Sequence, residues 1–482
     1  MRLRMTVRQK SFTYILFGFF VAICFAGLTS SYTTDRPIIK DAAQNVRSAY
    51  HLVHDGMISS NGSEPQMRRE PLPIVAIAAL LLVHPDFAEP HSVDDLLTGR
   101  LNPSVKLVNA LWRFLAAFFI FLLCWELFPG VLLPAMMAVI CIALGEVVFF
   151  AHPGMVDRLY TEIPASAMLL LASWCAVRFV RTKAILSALF LGVALGALAL
   201  TKATFLYVSI CFIAVLLIME VVKRLRSPVD SWSRLVSLYA VITLALAAVI
   251  APWVIRNYIE FDQPQIASRG EEVLGVRVLL TEQPLLGTLY ASSPDRIKKR
   301  YIGPLTGYTR KDLKPGGRLE DLVTAKSRRD QTFALRMQAD GFSGDRDEWL
   351  RHMAISYISE HPLRYIASIG VFAYKGMWFL GRAGTDFNIV AMLCFLGVFF
   401  WSVLSGNQKL FAAFGSGAGL YLFISAFTHA LTRYNAPITP LVIIANLWLL
   451  VAIVRRILQL PRAKEFTGRL RTRVKDLATK RA

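Results

Sequence analysis

The sequence predicts an all-α polytopic membrane protein, a bundle of about ten to twelve spans with juxtamembrane helices and a mostly helical outer loop domain. Three observations predict it. Of 482 residues, 55% are apolar and only 18% charged, where soluble domains carry about a quarter charged residues. The mean hydropathy is +0.48. Apolar runs of about 20 residues, the length that crosses a bilayer as a helix, recur along the chain without the period-two alternation of barrel strands.

A formal charge of +20 would ordinarily point to nucleic acid. Its distribution removes that reading. Residues 1–10 carry four basic side chains and no acid, and residues 455–482 carry ten basic and two acidic ones. The longest polar stretch, 256–362, is nearly neutral, with seventeen basic and fifteen acidic residues. The excess marks the two ends, where it serves as a positive-inside orientation signal and a contact with anionic lipid.

Taken in chain order, spans are expected at 12–31, 105–127, 131–150, 163–180, 184–200, 204–221, 234–255, 387–404, 410–428 and 436–454. The first is long enough to cross, and Ser30-Ser31-Tyr32 is a poor leader-cleavage site, so it is read as a membrane helix. Short basic loops at Arg178, Arg181 and Lys183 and at Lys223, Arg224 and Arg226 belong to the cytoplasm together with both termini. Parity then turns 32–104, 151–162, Lys202, 256–386 and 429–435 outward. The run 72–84 is only about half the length of a span, and 363–381 contains Arg364 and Lys375. Both read as juxtamembrane or re-entrant helices. Four regions follow: an N-terminal transmembrane module, 1–255, with its first outer loop 32–104; an outer-loop subdomain, 256–362; a C-terminal transmembrane module, 363–456; and a basic tail, 457–482. The six cysteines lie within or beside apolar runs without CxxC spacing and read as small packing residues.

The chemistry is expected on the outer face. Residues 37–54 have helical periodicity through Ile38, Ala42, Val46, Ala49 and Val53, and Asp35 precedes them where the first span ends. A carboxylate there, partly withdrawn from water, suits a general base acting on a hydroxyl or amine; it equally suits a solvated cap before Pro37. Ionisable residues at the edges of apolar runs are costly and hence candidates by default. Asp157, Glu162, Lys202, Arg256 and Arg433 meet that criterion on the outer side, with Glu126 and Glu146 near other span ends. One at a time, Glu162 can be a helix cap, Lys202 a snorkelling lysine, and Arg256 and Arg433 interfacial anchors. Together they make a site in which cations hold a phosphate and a carboxylate deprotonates an acceptor. His51, His54 and Asp55 share a helical turn but have no distant fourth ligand, so no metal site is assigned. Nucleotide-binding loops of the GxxxxGK[ST] or GxGxxG type are absent.

A series of motifs then falls into order: Asp35 ahead of AxNV, REPLP at 69–73, TEIPA at 161–165, GALALTKA at 196–203, APWVIRNY at 251–258, EHPLRY at 360–365 and TRYNAPITP at 432–440. In this order, over about residues 12–455, the chain resembles the lipid-linked-sugar glycosyltransferases of the GT-C fold, in particular the aminoarabinose-transferase and protein-mannosyltransferase-like group. The resemblance implies transfer of a hexosyl or pentosyl unit from a polyprenyl-phosphate-linked sugar to a lipid, glycan or protein acceptor. It implies Asp35 as acceptor base, and Glu162 with Asp157 as further acids. Lys202, Arg256 and Arg433 fall to the donor phosphate, and Tyr434 and Trp253 to the groove. Arg36 and Ile39 stand where many members have a second acid and an aromatic. That departure favours metal-independent catalysis, and neither a cofactor nor a nucleic-acid partner is expected. The implied location is the bacterial inner membrane, with cytoplasmic termini and a periplasmic site. Two other classes compete: a flippase or exporter of lipid-linked glycan, and a surface-polysaccharide polymerase or ligase. Against the first stands the lack of an internal repeat; the second would leave the first outer loop unimportant.

Overall fold

The computed structural model describes residues 7–31, 33–145, 159–226, 231–268, 270–314, 316–320, 326–378 and 385–459. Asp157, Glu146 and the basic tail beyond 459 therefore lie outside the described residues. Among those described the chain is helical, without strands. The principal helices, in order, are α1 (Val7–Ser30), α2 (Asp41–His54), α3 (Pro71–Val83), α4 (Val108–Leu127), α5 (Leu132–Gly145), α6 (Glu162–Thr182), α7 (Ile185–Thr201), α8 (Thr204–Arg226) and α9 (Trp232–Phe261). Then come α10 (Gly270–Thr281), α11 (Leu285–Ser292), α12 (Lys326–Ala339), α13 (Arg346–Glu360), α14 (Pro362–Gly376), α15 (Thr385–Leu404), α16 (Gln408–Phe427) and α17 (Thr439–Leu458).

Each of the ten expected spans falls on one of these helices, residues 146–150 of the third lying outside the described residues. Among the described residues, seven helical stretches are long and apolar enough to cross a membrane on their own, while α3, α5, α7 and most of α15 are shorter. α3, at 13 residues, is about 20 Å long, two-thirds of a bilayer core, and it buries Ile74, Ile77, Ala78 and Leu81 against its neighbours. The second disputed run becomes α14, whose apolar stripe of Tyr365, Ser368 and Phe372 is buried while Leu363 and Ile366 are exposed.

The bundle has two ionic ends. At one, the nearly buried Glu126 takes Arg178 at 3.2 Å and Arg181 at 2.9 Å. Beside it Glu220 takes Lys183 at 2.7 Å and the side-chain amide of Gln408 at 2.7 Å. α6 runs from this end to Glu162 at the other, 21 residues or about 30 Å. All the basic loops assigned to the cytoplasm thus gather at the end remote from Glu162.

Small residues set the closest approach in the bundle. Gly192 and Gly196 on α7 form a small-xxx-small face against α9. A Cβ at Gly192 would lie 2.4 Å from the carbonyl oxygen of Ile242, and one at Gly196 would lie 2.7 Å from Val249 Cβ. The first obstacle is backbone, which no rotamer change relieves. Gly192→Leu is therefore expected to lower stability by about 1–3 kcal/mol, read as a lower thermal midpoint of the detergent-purified protein. At Gly27 an added Cβ meets nothing within 4 Å, so Gly27→Leu should not lower it.

Candidate functional site

Three acids and three bases from distant parts of the chain meet at the end of the bundle marked by Glu162. Asp41 opens α2 and places one carboxylate oxygen on each of two guanidinium groups: Arg69 Nη2 at 2.5 Å and Arg433 Nη2 at 2.8 Å. Arg69 also donates to the Gln44 side-chain oxygen from Nε and Nη2, at 2.9 and 2.6 Å. Arg433 Nε lies 3.8 Å from Glu162 Oε1, and its guanidinium covers the ring of Tyr160, 4.8 Å from the centroid. Asn45, one turn along α2 from Asp41, donates to the carbonyl of Leu159 at 3.0 Å, which fixes the chain just before Tyr160 and Glu162.

Lys202 completes the set. α7 stops at Thr201 and α8 starts at Thr204, so Lys202 occupies the tight turn between two apolar helices. Its ammonium has no hydrogen-bond partner among the described residues and sits over the ring of Tyr434, 4.6 Å from the centroid. Burial pushes its pKa down, while the nearby carboxylates of Glu162 and Glu70 pull the other way. Glu70 is held there by accepting from the Ala203 backbone N–H at 3.3 Å. Three ammonium donors left unused in a buried place are what an incoming anion needs.

The segment carrying Arg433 and Tyr434 is a short 3-10 helix, Thr432–Ile438, clamped from outside. Asn435 is fully buried and donates to the carbonyl of Gly376 at 3.1 Å. A Cβ at Gly376 would lie 2.6 Å from the Asn435 Nδ2, so this approach depends on glycine. Lys375 donates to the carbonyl of His429 at 3.0 Å.

Beneath the charged cluster runs an apolar groove within the bundle. Arg113 and Ile120 of α4, Cys141 of α5, Ile163 and Ser166 of α6 and Thr439 of α17 line it. Ile163 and Ser166 lie within about one turn of Glu162, and Thr439 directly follows the segment of Arg433. Arg113 also lines a separate small pocket with Thr33, Lys106 and Asn109.

The expected site residues divide. Glu162, Lys202, Arg433 and Tyr434 come together. Asp35 does not take the half-withdrawn position expected of it, for its side chain is exposed. The cause is Lys106, fully buried, which donates to the flanking carbonyls of Thr34 at 2.5 Å and Arg36 at 2.8 Å. The helix expected over 37–54 begins only at Asp41, because the Ile38 N–H pairs with the Leu97 carbonyl and Lys40 takes a positive φ of 58°. Arg256 donates to the Gln66 carbonyl at 3.0 Å and to Asn257 at 2.9 Å, and Trp253 donates to the Ile266 carbonyl at 2.8 Å. Arg256 thus braces the loop at Gln66 against α9, and Trp253 braces the chain after α9 against the same helix. Among the described residues, neither makes a hydrogen bond or ion pair to the charged cluster. Asp157 lies outside the described residues. No group of three or more His, Cys, Asp or Glu among those described is arranged to hold a metal.

Sequence reasoning passed over Asp41, Arg69, Glu70 and Tyr160. The signal that selected Glu162 was available for the first three: each is ionisable and sits at the mouth of a helix at the membrane edge.

No family model and no curated protein matches the chain. Among solved structures, it is similar to the crystal structure of ArnT from Cupriavidus metallidurans bound to undecaprenyl phosphate. The two are 13% identical, with 88% of this chain and 77% of that chain covered and a TM-score of 0.37.

Removing Arg433 would leave Asp41 and the buried Glu162 without their shared cation. The cost of breaking a buried pair is about 3–5 kcal/mol, and less is expected here because the Arg433 side chain keeps 32% of its surface exposed. Arg433→Met should therefore lower the thermal midpoint, and adding Glu162→Gln should recover part of the loss. Strict additivity of the two substitutions would contradict the coupling.

Proposed function

We propose that the chain is an integral membrane glycosyltransferase of the GT-C type. It moves a sugar from a polyprenyl-phosphate donor to a lipid, glycan or protein acceptor at the outer, periplasmic face of a bacterial inner membrane. The observation that carries this reading is the buried, hydrogen-bond-free ammonium of Lys202 in a charged cluster whose helix α6 continues past Glu162, at Ile163 and Ser166, into the lining of an apolar groove. A phosphate attached to a long hydrocarbon chain satisfies both features at once. A soluble anion would use only the first, and a plain lipid tail only the second.

In the proposed reaction the acceptor oxygen attacks the anomeric carbon as the bond from that carbon to the phosphate oxygen breaks. The phosphate leaves with the bonding electron pair. Lys202 and Arg433 stabilise its growing charge from fixed positions, the arrangement in which such stabilisation is worth most. Asp41 and Glu162 hold Arg433 in place. Asp35, exposed and held by its backbone alone, is the acid proposed to take the acceptor proton. A single displacement inverts the anomeric centre. Arg256 is proposed to hold the loop that covers the phosphate.

The test is a reconstitution in which the full chain meets a polyprenyl-phosphate-linked sugar and envelope extract, with mass spectrometry reporting which component gains a sugar. A mass gain that disappears in Lys202→Met is expected; movement of the donor across the bilayer without transfer would identify a carrier instead. Asp35→Asn should lower kcat by about 10²–10⁴ while donor binding is unchanged. Full activity in that variant would remove Asp35 as the base. Arg256→Glu is expected to weaken donor binding.

A further inference from the structure

A basic and apolar patch lies on the outer-loop subdomain, away from the charged cluster. Its level relative to the membrane is set by α14. The Tyr365 hydroxyl donates to the Ala426 carbonyl at 2.8 Å, and the Tyr421 hydroxyl donates to the Ala373 carbonyl at 2.6 Å. α14 therefore follows the last turns of span α16, with its C-terminal end the deeper one. α11 packs on α14, and Ser293 Oγ meets the Tyr374 hydroxyl at 3.0 Å, near that deeper end. The chain that leaves α11 thus starts at the level where α16 emerges from the bilayer.

Residues 295–318 carry eight basic and two acidic side chains, a local excess inside a subdomain that is nearly neutral as a whole. Both acids are already engaged, Asp295 with Arg310 at 2.6 Å and Asp312 with Arg318 at 2.6 Å. Arg296, Lys299, Arg300, Lys311 and Lys314 are exposed and make no ion pair among the described residues. Between them Leu305 is 82% exposed and Tyr301 is 52% exposed. In water such side chains would be a liability. At the headgroup level, cations flanking an aromatic and an aliphatic side chain are what an interfacial anchor needs.

We propose that 295–314 is a docking surface for the anionic headgroups of the adjacent leaflet, with Leu305 and Tyr301 inserted among the acyl chains and the five unpaired cations on lipid phosphates. Bilayer charge then holds the outer-loop subdomain down on the membrane through α11 and α14. Electrostatic attraction of this kind falls with salt and scales with the number of cations near the surface. The proposal rests on the membrane level of α16 and is independent of the transferase reading.

The full chain, placed in nanodiscs of phosphatidylcholine alone or with about a third phosphatidylglycerol, tests this by amide hydrogen exchange. Exchange in 295–314 is expected to slow at least about tenfold in the anionic nanodiscs, since a few cations near the surface supply that much. High salt and the triple variant Lys299→Glu/Arg300→Glu/Lys311→Glu should each abolish the difference, with α6 and α16 exchanging as in the unsubstituted protein. Equal exchange in the two nanodiscs would overturn the proposal. So would slowing in neutral nanodiscs on addition of an acidic oligosaccharide, because the patch would then be a seat for a polyanionic acceptor.

Discussion

The end of the bundle marked by Glu162 depends on one carboxylate shared between two guanidinium groups. Asp41 receives Arg69 and Arg433 on separate oxygens, and so joins the first outer loop to the last membrane helix across 392 residues of sequence. Charges taken out of water must be paired and hydrogen-bonded to be tolerable. Here the pairing also decides geometry, because Arg433 is stretched between Asp41 and Glu162 and so directs Tyr434 under Lys202. Within this cluster the buried Lys202 ammonium makes no hydrogen bond to the described residues, so the cluster can accept an anion without first releasing one of its hydrogen bonds.

Packing in the membrane makes that arrangement rigid. α7 is drawn against α9 through Gly192 and Gly196, which fixes where α7 ends and thus where Lys202 stands. From the other side, Gly376 admits Asn435 and holds the short helix carrying Arg433. The two close approaches are sterically similar but differ in purpose, one joining helices inside the bilayer and the other linking the outer subdomain to the charged cluster.

The spans were legible because length and hydropathy alone specify them, and all ten fall on helices. The basic loops expected to share one side do gather at one end, around Glu126 and Glu220. Half of the cluster was legible too: Glu162, Lys202 and Arg433 were chosen because charge at a membrane edge is costly, and Tyr434 through the motif that follows Arg433. Asp41 escaped because the periodicity of 37–54 merges it with a helix that actually starts there, after Lys40 breaks the path. Arg69 and Glu70 escaped because they precede a helix too short to count as a span. The exposure of Asp35 depends on buried Lys106 about seventy residues away, a contact that no local pattern encodes. Arg256 and Trp253 satisfy carbonyls in loops, and the partner of a loop carbonyl is a matter of tertiary structure.

The central claim is that the Lys202 ammonium and the apolar groove lined by Ile163, Ser166 and Thr439 together hold one phosphorylated polyprenyl lipid. Native mass spectrometry of the purified full chain with added sugar-free polyprenyl phosphate tests it most directly. The account predicts one lipid retained per chain, and its loss in Lys202→Met while the thermal midpoint stays within a few degrees of that of the unsubstituted protein. Retention of the lipid by Lys202→Met at the affinity of the unsubstituted chain would contradict it.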